Sequence, residues 1–286
     1  MDKKVDVIVQ SYGKSEQLRC TLESLYTHSS QWIDKIYLIE EKERPFNDKD
    51  CKWVTEYFEN IEYHKPKNYI NPYTVPCSNV PYDLIRHQWG IDKSDKKYVF
   101  ICHNDVLFTG DIIGNMINEI INFENNNPNE ILAGIGSIGQ CHNCPALDIC
   151  GGGEKWNKWE PTWEDINNLK LPHIRTRKDN LHKTIPKLMP ECRLNEFACI
   201  INKEITIEDT NNLFGQFSED SGVNWFRFMY EKGYKFIDYR KDFHHGYWSP
   251  KMGGSGFQTQ QNKEAYFEAE EAAKKYFEEH FAKNFE

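Results

Sequence analysis

Short β-branched runs that stop abruptly in polar residues, each followed by a stretch with helical spacing, constrain this chain more than any other feature. Val5-Asp6-Val7-Ile8-Val9 runs into Gln10-Ser11-Tyr12-Gly13, after which Leu18, Leu22, Leu25 and Tyr26 recur at helical intervals, with Ser15 placed to cap the helix. Ile36-Tyr37-Leu38-Ile39 ends at Glu40-Glu41; a helix is expected through Trp53, Val54, Tyr57 and Phe58, and a short strand at Ile61-Glu62-Tyr63. Tyr98-Val99-Phe100-Ile101-Cys102 then stops at His103-Asn104-Asp105. Strands alternating with helices imply an α/β fold, a mostly parallel sheet covered on both faces. Ligands of such sheets collect at the carboxyl ends of the strands, here residues 10–14, 40–44 and 102–106.

Beyond these units the pattern is mixed. Pro66, Pro72, Pro76 and Pro81 mark a loop over 66–81, with a helix expected over 82–91 and another over 111–123. Residues 134–190, rich in Gly, Pro, Cys and Trp, read as irregular. A late helix is expected over about 220–232, a strand at Tyr234-Lys235-Phe236-Ile237 followed by the His244-His245 doublet, and a charged amphipathic helix over 263–285. There is no internal repeat.

With 44 acids against 35 bases, the net charge of −9 argues against general nucleic-acid binding or adhesion to anionic lipid. No run approaches the roughly 20 apolar residues of a membrane-spanning helix. Met1-Asp2-Lys3-Lys4 leads directly into the first strand without a signal-peptide core, so a cytoplasmic location is expected, and the nine cysteines are expected to be reduced or metal-bound.

Val5 to Gly13, followed by Thr21-Leu22-Glu23-Ser24-Leu25, resembles the opening of family 2 glycosyltransferases with the GT-A fold, with Gln10 and Gly13 in place of the usual proline and asparagine. Ile85-Arg86-His87-Gln88-Trp89-Gly90 is similar to the segment before that family's metal strand; His103-Asn104-Asp105, Ser218-Glu219-Asp220 and His244-His245-Gly246 follow in the family's order. The resemblance implies a GT-A domain over 1–256, with a nucleotide-sugar-binding part (1–110) and an acceptor-binding part (111–256) carrying the Cys/Trp-rich insertion 134–190. A C-terminal amphipathic helix over 257–286 would extend it. It also implies sugar transfer from a nucleotide-diphosphate donor to an acceptor hydroxyl, glycan or other, with inversion.

On that resemblance, Asp105 and His103 occupy the metal motif for Mn²⁺ or Mg²⁺, and His245 or His244 completes it; a divalent ion offsets the charge of a departing diphosphate. Asp220 is the expected general base with Glu219 beside it. Ser11, Tyr12 and Asn104 are expected against the nucleotide, Arg86 against phosphate, and Glu40 against a base N–H, which favours a UDP-sugar. Each motif also has a plain structural explanation: a polar turn, acids at a helix N-terminus, a packed histidine.

Cys141, Cys144 and Cys150, joined by Cys192, have the spacing of a structural Zn²⁺ site, against which stand ordinary reduced thiols. Trp156 and Trp159 are candidates to line an acceptor cleft, although indoles in a loop more often pack inward. The C-terminal helix is expected to fold back on its own domain, a dimer contact or peripheral membrane contact being the alternatives. Two other functions compete: a non-catalytic carbohydrate-binding or scaffold protein, suggested by His103 where the family has aspartate, and a sugar nucleotidyltransferase, disfavoured by the sparse Ser11-Tyr12-Gly13-Lys14 turn.

Overall fold

The computed structural model describes residues 4–41, 45–66, 87–139, 150, 162–168, 192–210, 214, 221–249 and 262–281. In chain order these form β1 (Val5–Ser11), α1 (Ser15–Ser29), β2 (Ile33–Glu40), β3 (Ile61–His64), α2 (Gln88–Lys93), β4 (Tyr98–His103), β5 (Val106–Phe108) and α3 (Ile112–Asn126). They continue with β6 (Leu132–Ile138), α4 (Trp163–Asn168), β7 (Leu194–Asn202), α5 (Lys203–Thr210), α6 (Val223–Glu231), β8 (Lys235–Asp238), β9 (Phe243–His245) and α7 (Lys263–His280).

Seven strands form one sheet in the order β3-β2-β1-β4-β7-β6-β8, and β5 pairs with β9 in a separate ribbon. Pairs β2–β3, β1–β2, β1–β4 and β6–β8 are parallel, and β7 runs antiparallel to both β4 and β6. The expected mostly parallel α/β sheet is therefore present. Alternate residues of β1 explain why it is two-faced: Val5, Val7 and Val9 join one core with Leu18, Leu22, Leu25, Met116 and Ile117, while Ile8 joins the other with Ile91, Ile201, Trp225 and Phe226.

Several expectations need correction. The segment read as irregular from residue 134 begins inside β6, which is buried throughout. Gly134 and Gly136 lowered its apparent strand character, yet a Cβ there would meet the Ile200 carbonyl oxygen at 2.8 Å and Cys199 Cβ at 2.6 Å respectively. The strand β7 was not expected at all, because Asn195 and Glu196 interrupt its apolar run. The helix through Trp53 is a 3₁₀ stretch, Lys52–Tyr57. His244 and His245 lie within β9 rather than after a strand. Of the helix expected over 82–91, residues 82–86 lie outside the described residues.

Ser15 does not cap α1. The cap position belongs to Lys14, in left-handed conformation (φ 57°, ψ 46°), whose side chain makes no capping bond. The first turn is instead closed from the far end of the chain: Glu270 of α7 accepts the backbone N–H of Glu16 at 2.9 Å and of Gln17 at 3.4 Å, and the Gln17 amide at 3.0 Å. Around it Tyr266, Ala269, Ala273 and Phe277 are buried, and Ala273 and Phe277 share a small core with Cys20, Leu107 and Trp248. The helix thus folds back on the domain. No helix among the described residues is long and apolar enough to cross a membrane.

Burial pushes the Glu270 carboxyl up to about 7 from its ordinary 4.5; its N–H donors oppose the rise and Asp48 adds to it. A carboxyl raised in the folded state contributes stability below about 4.5 that is lost as pH climbs through about 7, a difference on the order of 3 kcal/mol. Thermal melts between pH 5 and 8 should show the wild type losing several degrees more than Glu270→Gln; parallel profiles would refute this.

Candidate functional site

The turn after β1 is built by its own polar groups. Ser11 Oγ donates to the Gly13 carbonyl at 2.8 Å, and Asn104 Nδ2 donates to Ser11 Oγ at 2.9 Å and to the same carbonyl at 2.8 Å. Gly13 has φ +64°, and a Cβ there would stand 2.7 Å from both Pro45 Cδ and the Tyr266 hydroxyl oxygen. Ser11 and Asn104 are buried and their hydroxyl and amide brace the turn; Tyr12 is half-buried. Lys14 N–H donates to Tyr266 Oη at 2.8 Å, and the Tyr266 hydroxyl donates to Asp48 at 2.7 Å.

Glu40 ends β2 fully buried. Its Oε2 accepts the Cys51 N–H at 3.1 Å and the Tyr63 hydroxyl. Its Oε1 has no hydrogen-bond partner among the described residues, with Lys65 Nζ 3.7 Å away. The carboxylate is held through Oε2, while Oε1 is buried facing Lys65.

The strand β4 delivers His103 to its carboxyl end, and the turn after it places Asp105 at the mouth of the β5–β9 ribbon. Val106 pairs with His245, and Gly246 N–H donates to the Asp105 carbonyl at 2.8 Å, so the ribbon sets residue 245 beside residue 105. His245 Nε2 lies 3.4 Å and His103 Nδ1 4.0 Å from Asp105 Oδ1, and one ligand atom from each of the three residues falls within 4.8 Å of the others. Asp105 Oδ1 and His245 Nε2 are both buried without a hydrogen-bond partner among the described residues. Two imidazoles and a carboxylate converging with orphaned atoms fit a divalent cation such as Mn²⁺ or Mg²⁺, the imidazoles favouring Mn²⁺.

His244 is left out of this cluster. The strand pleat turns it the opposite way to His245; it is exposed, opposite Leu107, with its ring 6.1 Å from Tyr247. Phe197 stacks on His245 at 4.3 Å between ring centres and fixes its plane.

Two charged residues of the site were not singled out from sequence. Lys14 Nζ pairs with Asp105 Oδ2 at 2.8 Å, both side chains buried. Burial alone would raise the Asp105 carboxyl, but Lys14, His245 and His103 together hold it well below the usual carboxylate range. Glu196 of β7, 5% exposed, lies 3.7 Å from His103 Nε2 through Oε1 and 3.6 Å from Arg193 Nε through Oε2. Burial opposes its ionisation, and the Arg193 guanidinium with His103 overrides this and keeps it anionic. One signal was available for Glu196: a lone acid directly before the apolar run Phe197-Ala198-Cys199-Ile200-Ile201, a setting where unpaired carboxylates are rare.

Arg86, Glu219, Asp220, Cys141, Cys144, Trp156 and Trp159 lie outside the described residues. Cys150 is half-buried and Cys192 buried; among the described residues the one metal-competent group is His103, Asp105 and His245.

No family model matches the chain, and no curated protein sequence matches it. Solved structures do. The mannosyltransferase PcManGT from Pyrobaculum calidifontis, in complex with GDP-Man and Mn²⁺, is 9% identical with a TM-score of 0.45, the match covering 90% of this chain and 60% of that one. Residues 1–349 of S. aureus TarS are 13% identical with a TM-score of 0.43, covering 84% of this chain and 59% of that one. The M. tuberculosis glucosyl-3-phosphoglycerate synthase is 7% identical with a TM-score of 0.47, covering 84% and 73%. This chain spans about 60% of the length of the first two.

Proposed function

We propose that the chain is a GT-A glycosyltransferase that moves a sugar from a nucleotide-diphosphate donor to an acceptor hydroxyl. The observation that carries this is the meeting of His103, Asp105 and His245, one ligand atom of each within 4.8 Å of the others, at the carboxyl end of a parallel strand, where this class of sheet binds its ligands. A divalent cation bound there would act as a Lewis acid on the diphosphate. Asp105 would hold the cation through Oδ1 while Oδ2 stays with Lys14, whose ammonium adds a second fixed positive charge beside the leaving group.

Glu40 supports a uracil base: its Oε1 can accept the imide N–H, and Tyr63 and Cys51 N–H keep the carboxylate from turning away. Asp220 would take the acceptor proton as its oxygen attacks the anomeric carbon, giving inversion.

Calorimetry with UDP, Mn²⁺ and both together, followed by a nucleotide-sugar hydrolysis panel, tests the reading. UDP binding is expected to require Mn²⁺, and at least one UDP-sugar is expected to turn over. Asp220→Asn should then lower turnover by about 10²–10⁴-fold while leaving Mn²⁺-dependent UDP binding intact. Binding without turnover of any sugar would favour a scaffold, and pyrophosphate release from a nucleoside triphosphate and a sugar phosphate would favour a nucleotidyltransferase.

A further inference from the structure

The metal reading needs two imidazoles to present a lone pair to one point, and a neutral imidazole presents a lone pair on only one of its nitrogens. His103 has a carboxylate on each side. Its Nδ1 faces Asp105 Oδ1 at 4.0 Å, within the cluster, and its Nε2 faces Glu196 Oε1 at 3.7 Å, outside it. Glu196 is itself charge-paired: its other oxygen lies 3.6 Å from Arg193 Nε, an ion-pair contact longer than a hydrogen bond, and its backbone belongs to β7, which pairs with β4. His87 stacks parallel to His103 with ring centres 6.4 Å apart and Phe197 meets it edge-on at 6.3 Å, so the ring sits between fixed neighbours.

We propose that Glu196 is the positioning residue of the metal centre: it takes the Nε2–H of His103 and thereby leaves the Nδ1 lone pair for the cation. A carboxylate behind a metal-binding histidine fixes tautomer and ring orientation and makes the nitrogen a stronger donor. Glu196 itself does not touch the cation or the substrate. The inference rests on the assignment of His103, Asp105 and His245 as a metal site, and extends it from three ligands to a relay, Arg193–Glu196–His103, that enters from the antiparallel strand.

Two measurements test it without turnover. Mn²⁺ alone is titrated into the wild type and Glu196→Gln, with free Mn²⁺ followed by electron paramagnetic resonance. The variant keeps the side-chain shape but loses the charge, and its Mn²⁺ dissociation constant should rise by about 10–100-fold, with its melting temperature reported alongside. Separately, the ¹⁵N shifts of His103 in the metal-free wild type should report the Nε2–H tautomer, a readout that needs no variant to fold. Equal Mn²⁺ affinity in the two proteins, or an Nδ1–H tautomer in the wild type, would overturn the role of Glu196 while leaving the metal site standing. A wild type that binds no Mn²⁺ would overturn the metal site and this inference with it.

Discussion

Asp105→Asn is expected to abolish Mn²⁺-dependent UDP binding and to lower sugar transfer by about a thousandfold or more. The carboxylate works in two directions at once: Oδ1 faces the imidazoles of His103 and His245, and Oδ2 pairs with Lys14 at 2.8 Å. An amide there weakens the cation site, whose Lewis-acid contribution is several kcal/mol. It also breaks the buried Lys14–Asp105 ion pair, and breaking such a pair costs about 3–5 kcal/mol of stability. The two effects separate in a double variant. Lys14→Met with Asp105→Asn removes the ammonium along with the carboxylate, so stability in urea should recover relative to Asp105→Asn, while Mn²⁺ binding should not. Transfer at wild-type rate by Asp105→Asn would remove Asp105 from the site.

Ending the chain at residue 261 is expected to leave no cooperatively folded protein at 37 °C. A domain boundary at residue 256, as expected from the sequence, would make residues 257–286 a separable extension, and the truncation tests that boundary. Tyr266 and Phe277 are 0% and 4% exposed, and burial of two such aromatic rings contributes about 5 kcal/mol. Losing Glu270 also exposes the unsatisfied first turn of α1, and losing Tyr266 frees the Lys14 N–H. Together these rival the about 5–15 kcal/mol by which a domain of this kind is stable. A sharp urea transition in the truncated chain, with its midpoint unchanged, would show that α7 is dispensable to the fold.

How legible each part was in the sequence depends on where its cause lies. The strands β1, β2 and β4 were readable because each is a compact β-branched run buried on both faces, so the signal sits in the residues themselves. β6 and β7 were not. Gly134 and Gly136 are set by the approach of β7, while Asn195 and Glu196 answer to Ser137, Gly139, His103 and Arg193, none of which periodicity displays. The site divides the same way. His103 and Asp105 stood out by adjacency to a strand end, and His245 was separable from His244 only once the ribbon pleat assigned each to a face. Lys14 reaches Asp105 across 91 positions of sequence, and no local pattern marks it.

The junction between the first helix and the last also bears on how the protein comes into being. The Lys14 turn is made early in synthesis and locked by Tyr266, 252 residues later. At about 5–20 residues per second, roughly 10–50 s pass on the ribosome between the two. During that interval the part of the α1 face around Cys20 that Ala273 and Phe277 will cover stays open. The first turn of the first helix therefore waits for the last helix before its exposed N–H groups and its apolar face are both covered.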